Sequence, residues 1–355
     1  MYKELIVEVV DVLYEDEHIQ LLRTSEGAKK AMLYRRIQPA ATPGCTLLVN
    51  TTAVSLSLGT GGWDIVKAVL SPHMAVDDHQ QGHIMKARYL PSQHSVLSVE
   101  SQESADHSLF QQEFSLRGKK VLLAELHSMI PILFLTISEL NPSLKMTVII
   151  SDEAALPLEM SSHLRYLRED QRFQTITTGQ AFGGDYEAVN IPTALQFASE
   201  KLQSDVLIVS VGPGVVGTGT TYGFTGMALA DWANTVGSFS GLPVWVPRIS
   251  FADQRSRHQG ISHHLLTPLL SFTYPKSLIP LPIFHKESWD RKISEQVVPM
   301  KEKHTVVRVS SDEVTGLIQE NLLQYPIPIT TMGRTFSDDP AFFLSVAVAA
   351  KEAIN

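Results

Sequence analysis

The spacing of apolar positions changes character near residue 115. Before it, short runs rich in Val, Ile, Leu and Tyr alternate with charged or Gly/Pro turns, at 5–13, 19–23, 31–35, 46–50, 54–58 and 65–69. Two more, 84–89 and 95–100, have the make-up of a hairpin. This series predicts a small all-β, barrel-like domain over 1–115, ending in a polar, acidic linker at 101–115. From Lys119 the pattern is different. The runs 121–126, 146–150, 175–178, 206–211, 244–249 and 306–309 are short and several are β-branched, as in strands buried on both faces. Stretches of helical period lie between most of them, at 188–202, 227–239 and 314–323. A last helix is expected over 338–354, with Asp at its cap and Pro340 in its first turn. The alternation predicts an α/β domain over 116–355, a mostly parallel sheet with helices on both faces.

Composition agrees with two domains, since the 355 residues exceed the roughly 250–300 at which one core stops growing. The formal charge is −8, from 29 Lys and Arg against 37 Asp and Glu. Basic residues adjoin only in pairs, such as Lys29 with Lys30 and Arg35 with Arg36, so neither nucleic acid nor an anionic membrane is an expected partner. The single Cys45 excludes an intrachain disulfide and any multi-thiolate metal centre. The acidic start lacks the plan of a signal peptide, and the longest apolar runs, 129–137 and 341–350, fall short of the roughly 20 residues of a membrane helix. A cytoplasmic protein is the expectation.

Ligands of open α/β sheets gather at the carboxyl ends of the strands, and there the chain is polar. The first strand runs into Glu125, His127 and Ser128, the second into Ser151, Asp152 and Glu153. These could be helix caps, or in the case of Glu125 and His127 a mutually satisfied pair. The third strand leads to Gly183 and Gly184, then Asp185 and Glu187. The fourth leads to a loop over 212–226 with six glycines, Gly212, Gly214, Gly217 and Gly219 among them, interleaved with Thr218, Thr220 and other threonines. Glycines let backbone N–H groups approach a ligand and threonines add hydroxyls, a combination suited to an anion.

The spacing Gly212, Gly214, Gly217 matches a dinucleotide fingerprint. Gly219 and Gly223 prolong the loop, however, and the next strand ends in Arg248 and Ser250 rather than an acid, so a nicotinamide dinucleotide is not expected. A third element carries Asp253, Arg255, Arg257, His258, His263 and His264, and Arg334 follows a late strand. Arg257 and Arg334 suit recognition of phosphate or carboxylate. His258 and His263 with Asp152, Asp185 or Asp253 could hold a divalent metal, although no established metal spacing is present. Adjacent histidines on a helix diverge by about 100°, which argues against His263 and His264 sharing an ion. His73, His79 and His83 read as surface residues.

The segments HSMIPILF, SDEAALPL, TITTGQAFGGDYEAVN, VGPGVVGTGTTYGFTG, RISFADQRSRHQGISHHLLT and TTMGR resemble the signature blocks of the bacterial family of unknown function 3866. LLVNTTAVSLSLGTGGWDIV and GHIMKARYLPSQHSVLSVE extend the resemblance to the N-terminal part. It implies a bacterial cytoplasmic protein and supplies no mechanism. On the residues, the leading expectation is an α/β protein that binds a small phosphorylated or carboxylated anion where the two Gly-rich loops meet. If it is catalytic, Asp185 or Asp253 would act as base and His258 or His263 as acid, with Arg257 and Arg334 stabilising charge. The alternatives are a ligand-sensing or protein-interaction module without catalysis, and a homo-oligomer whose interface the Gly-rich loops pack.

Overall fold

The computed structural model describes residues 2–58, 61–70, 82–111 and 113–355. The chain divides into two compact units. The first holds a closed barrel of β1 (Glu4–Glu15), β2 (Ile19–Thr24), β3 (Lys30–Tyr34), β4 (Thr46–Asn50) and β5 (Asp64–Val69), in the order β1-β2-β3-β5-β4. Closure rests on β1, which is long enough to pair with β4 through residues 4–8 and with β2 through 9–15. Two register shifts in its second half bend it around the barrel. Alternation sends Val7, Val9, Leu22, Leu33, Leu47 and Val49 inward to form the core. The expected strand at 54–58 is instead a single helical turn, α1 (Thr52–Ser55), opened by the Asn50 side chain accepting from the Thr52 N–H. His73 and His79 lie outside the described residues.

After β6 (Ile84–Lys86) and β7 (His94–Val96), the segment expected as a linker belongs to the second unit. It is stitched down there, with the Leu109 carbonyl accepting from the Gln196 side chain at 2.9 Å and Asp106 ion-paired with Lys201 at 2.5 Å. The α/β unit therefore begins before residue 115. Near its start, His83 is ion-paired with Glu103.

Its strands and helices are β8 (Lys120–Leu123), α2 (Met129–Leu140), β9 (Met146–Ser151), α3 (Ser162–Leu167), β10 (Phe173–Thr177), β11 (Tyr186–Glu187), α4 (Ile191–Gln196), β12 (Val206–Val211), α5 (Ala228–Ser238), β13 (Leu242–Trp245), β14 (Ile249–Ser250), β15 (Gly260–Ile261), α6 (His263–Ser271), β16 (Leu278–Ile283), α7 (Glu287–Val297), β17 (Thr305–Ser310), α8 (Asp312–Gln324) and α9 (Pro340–Ile354). Eight of the strands form one sheet, β11-β10-β9-β12-β8-β13-β16-β17, in which every described pairing is parallel. β9 and β12 are buried at every position, as their mostly apolar runs required, with the Thr147 hydroxyl bonded to Ser204 and that of Ser210 to the Ala124 carbonyl. Helices α2, α8 and α9 pack together on one side, while α4, α5 and α6 form a second group. α9 and α5 both lie on β8 and β13 without packing on each other, so the groups cover opposite faces.

β16 (LIPLPI) does not stand out as a strand in the sequence because Pro280 and Pro282 read as breakers. The structure accommodates them because β13 pairs with β16 only at Leu278. Pro280 and Pro282 have the same parity, so both missing donors fall on the side that β13 does not continue along, while β17 pairs with the whole strand.

The strand order places a switch point beside β8. From β8 the chain winds toward β11, and from β13 it winds toward β17. The crevice at the carboxyl ends of β8 and β13 is where such sheets take ligands.

Candidate functional site

Glu125 follows β8 and Arg248 follows β13, so parallel neighbours bring them face to face at that crevice. The Arg248 guanidinium donates to Glu125 Oε1 at 2.7 Å, and both side chains are buried. His264, the second residue of α6, places Nδ1 at 3.0 Å from the same oxygen. Nδ1 also lies 3.1 Å from the Arg248 guanidinium. A lone pair on Nδ1 would face a carboxylate oxygen, so the stable tautomer carries its proton there and leaves Nε2 as the free acceptor. Burial pushes the Glu125 carboxyl up, but Arg248 and the His264 N–H outweigh it and hold the group below its ordinary value.

Three imidazoles cluster at this point. His258, His263 and His264 have ring centroids 4.3–4.9 Å apart, and a nitrogen from each lies within 4.8 Å of the others. His263 and His264 converge despite adjacent positions because they open α6. The Ser262 hydroxyl caps that helix by accepting from His264 N–H at 3.2 Å. His258 reaches the cluster from the loop that closes the short β14–β15 pair, its Nδ1 bonded to Ser262 Oγ at 2.8 Å. Loss of hydration, reinforced by the charges of Arg248 and Arg255, pushes His258 down to about 3; His263 is lowered by desolvation and by its neighbour His264. Both are therefore neutral near pH 7. Neither ring nitrogen of His263 has a hydrogen-bond partner. The Arg257 carbonyl lies near the ring and favours its charged form, but without the geometry of a hydrogen bond.

The 212–226 loop lies over this cluster as a hairpin. Gly217 bridges to Phe224, whose ring stacks on His264 at 4.0 Å and nearly parallel. A Cβ on Gly217 would sit 3.0 Å from His264 Cε1, one on Gly226 3.2 Å from the Glu125 carboxyl, and one on Gly219 3.3 Å from the Arg257 guanidinium. These glycines let the loop close on the site. Its threonines do something other than expected. Thr218 donates to the Gly223 carbonyl, contacts Thr220 at 3.0 Å, and Thr220 accepts from Gly223 N–H, so both hydroxyls brace the hairpin. Gly212 packs against the Ala155 carbonyl, and Gly214 lies in open space with φ +99°.

Arg257 is exposed, makes no ion pair among the described residues, and directs Nε to within 3.4 Å of His258 Nε2. Arg334 is different. It bonds Asp339 at 3.0 Å and lies 3.8 Å from Asp253, so its charge is already matched. Asp253 also takes Arg255 through two hydrogen bonds of 2.8 and 2.9 Å. Those bonds outweigh its partial burial and hold it well below the carboxylate range. An acid so firmly ionised is a poor base, and a histidine held neutral is a poor acid. The expected division, aspartate as base and histidine as acid, does not fit this arrangement.

Asp185 is not brought to the cluster. Its carboxylate is taken by Arg168 and by the backbone and hydroxyl of Thr175, in the middle of β10. β10 lies three strands from β8, or roughly 14 Å at the usual strand spacing. Nor do the two Gly-rich loops meet. The segment after β9 lies between them, with Ala155 N–H bonded to Pro213 and Leu158 N–H to Phe182. Gly183 and Gly184 belong to a separate structural knot. Gly183, at φ +93°, packs on the Glu159 carboxylate and donates to Glu187, and Gly184 donates to Thr177. Glu187 pairs with the fully buried Lys86, which also donates to the Gly179 and Ala181 carbonyls at 2.9 Å. Glu125 and His127 do not pair with each other either. His127 bonds the Val211 carbonyl at 2.9 Å and Ser161 Oγ at 2.6 Å.

Glu125, Arg248, His264 and Phe224 complete the site and were not among the expected site residues. The first two carry one usable signal, opposite charges each just beyond a strand; their adjacency needs the sheet order. No helix among the described residues is long and apolar enough to cross a membrane.

A search among curated proteins finds no match. Among solved structures the chain is similar to FtsY from Mycoplasma mycoides, with 11% identity over 70% of this chain and 74% of that one, at a TM-score of 0.26. That likeness is too slight to carry an argument. The model of the family described as protein of unknown function (DUF3866) matches residues 30–350, nearly the whole chain, and the protein belongs to that family.

Proposed function

We propose that this protein binds a small phosphorylated or carboxylated anion beneath the 212–226 hairpin and acts on it by hydrolytic, acid–base chemistry. The observation that carries the reading is Arg257. It is a cation without a carboxylate partner, set against His258 and under Gly219, while the other guanidiniums around it are matched. A guanidinium so placed offers two parallel donors to a phosphate or carboxylate. The neutral imidazole of His263, whose ring nitrogens have no hydrogen-bond partner, supplies a proton acceptor for an attacking water. The backbone of the hairpin, rather than its threonines, is the remaining source of donors.

The test is a thermal-shift panel of nucleotides, sugar phosphates, acyl phosphates and coenzyme A esters, on the parent chain and on Arg257→Ala. At 100 times its Kd a ligand adds about 2.7 kcal/mol, a rise of roughly 5–10 °C for a domain of this size. The parent should respond to one class and the variant should not, with equal melting temperatures when no ligand is present. An equal response from Arg257→Ala, or none from either protein, would overturn the proposal. Binding without turnover of the responding ligand would support a sensing protein instead of a hydrolase.

A further inference from the structure

We infer that His258, His263 and His264 form a divalent transition-metal site of the three-histidine type, with zinc the natural occupant. The sequence offers no such spacing; the fold creates it by folding the β14–β15 loop back on the start of α6. Three observations support the site independently. The first is convergence, with one nitrogen of each ring within 4.8 Å of the other two. Ligands about a tetrahedral ion with bonds of 2.0–2.1 Å stand roughly 3.3 Å apart, so modest ring rotations close the set.

The second is orientation. A metal-binding imidazole characteristically gives its other N–H to a carboxylate, hydroxyl or carbonyl, which fixes the tautomer. His264 Nδ1 is bonded to the Glu125 carboxylate, which leaves its Nε2 for an ion; His258 Nδ1 is bonded to Ser262 Oγ, and its Nε2 accepts only a long bond from Arg257 Nε at 3.4 Å, which an ion would displace. Arg248 anchors Glu125 in turn. The third is the state of His263. Both of its ring nitrogens are buried and unpartnered, and coordination through one of them would relieve part of that desolvation.

Three protein ligands leave a fourth position for water or substrate, the arrangement of a catalytic rather than a structural zinc. With Arg257 and the hairpin at its edge, that position lies in the proposed anion site. The metal inference does not need the anion reading, however, and the two fail separately.

The experiment uses the full chain, stripped with chelator and titrated with Zn²⁺ and then Co²⁺ in a buffer free of phosphate and carboxylates. Uptake is followed by calorimetry and by the visible spectrum of bound Co²⁺. One ion per chain is expected, with the intense bands of a four-coordinate cobalt centre. His263→Ala should lose at least a hundredfold in affinity while its metal-free form melts no lower than the parent, because this side chain makes no hydrogen bond to lose. Glu125→Gln should lose ten- to a hundredfold. His285→Ala, on an exposed histidine elsewhere, should bind as the parent does. Absence of uptake, spectra of a hexa-aquo ion, or unchanged affinity in His263→Ala would overturn the assignment. A metal-binding chain that ignores every anion in the panel would leave this inference standing and remove the other.

Discussion

Replacing Arg248 by Met should convert a stabilising buried carboxylate into a destabilising one, and the effect should show in the pH dependence of folding. Glu125 is buried, and its charge is matched by Arg248 at 2.7 Å and by the His264 N–H at 3.0 Å. Its pKa lies below the ordinary value. A carboxyl of that kind stabilises the fold above its unfolded pKa, near 4.3, and loses that contribution as pH falls through the folded value. Met removes the guanidinium and leaves the burial, the one influence on Glu125 that pushes upward. Breaking a buried pair from one side costs about 3–5 kcal/mol, a large share of the 5–15 kcal/mol that holds a domain together. The folded pKa then rises above the unfolded one, so the variant should lose stability as pH rises from 4.5 to 7 where the parent does not. Urea unfolding followed by tryptophan fluorescence suits the assay, because Trp232, Trp245 and Trp289 all lie in the α/β unit. Adding Glu125→Gln to the variant should recover most of the loss. A single variant within 1 kcal/mol of the parent at pH 7, or an unchanged slope with pH, would refute the account of this pair.

Acid should destabilise the α/β unit through His127, which is enclosed by Ser161 and Val211 and pushed down to about 4 by burial. The unfolded imidazole takes its proton near 6.5, so stability is intact above that pH. It falls by about 3 kcal/mol as pH drops to 4, and His127→Gln should flatten that limb in pH-dependent melting. Two of the left-handed glycines, Gly183 and Gly214, offer a direct contrast by chemical denaturation. Gly183→Ala puts a Cβ 2.3 Å from the Glu159 carboxylate and should cost well over 2 kcal/mol, whereas Gly214→Ala meets nothing and should cost only the backbone strain of about 1–2 kcal/mol. Equal costs would mean that close packing at Gly183 is not what requires glycine.

The fold was legible because its signals are local. Runs such as 146–150 and 206–211 are apolar except for Thr147 and Ser210, a pattern that suits a doubly covered strand, and they are strands here. The last helix starts where Asp339 and Pro340 announce it, yet the Asp339 carboxylate is spent on Ser250 and Arg334 instead of the helix N–H groups. β16 was hidden by prolines whose tolerance depends on where β13 stops. The site was less legible for the same reason. Glu125, Arg248 and His264 span 139 residues of sequence and meet only because β8 and β13 are neighbours and α6 starts beside them. Conversely, Gly183, Asp185 and Glu187 looked chemical because they combine glycines with acids, and that chemistry is consumed in holding down the edge of the sheet.

The charge arithmetic around the histidines gives the two proposals a common basis. Glu125 cancels Arg248, and Asp253 with Asp339 cancels Arg255 with Arg334, which leaves Arg257 as the residual charge beside three imidazoles. Of these, His258 and His263 are pushed toward the neutral form. The crevice is thus locally positive in a chain whose formal charge is −8. The net negative charge opposes an approaching anion, which finds an unmatched guanidinium here at the switch point. A dication held by the imidazoles would add to that field without meeting a carboxylate as a direct ligand, since Glu125 reaches the set only through His264. The site would then be most positive when loaded. Anion affinity should therefore rise with metal occupancy, a coupling that neither proposal requires alone and that titrating the responding anion with and without Zn²⁺ measures directly.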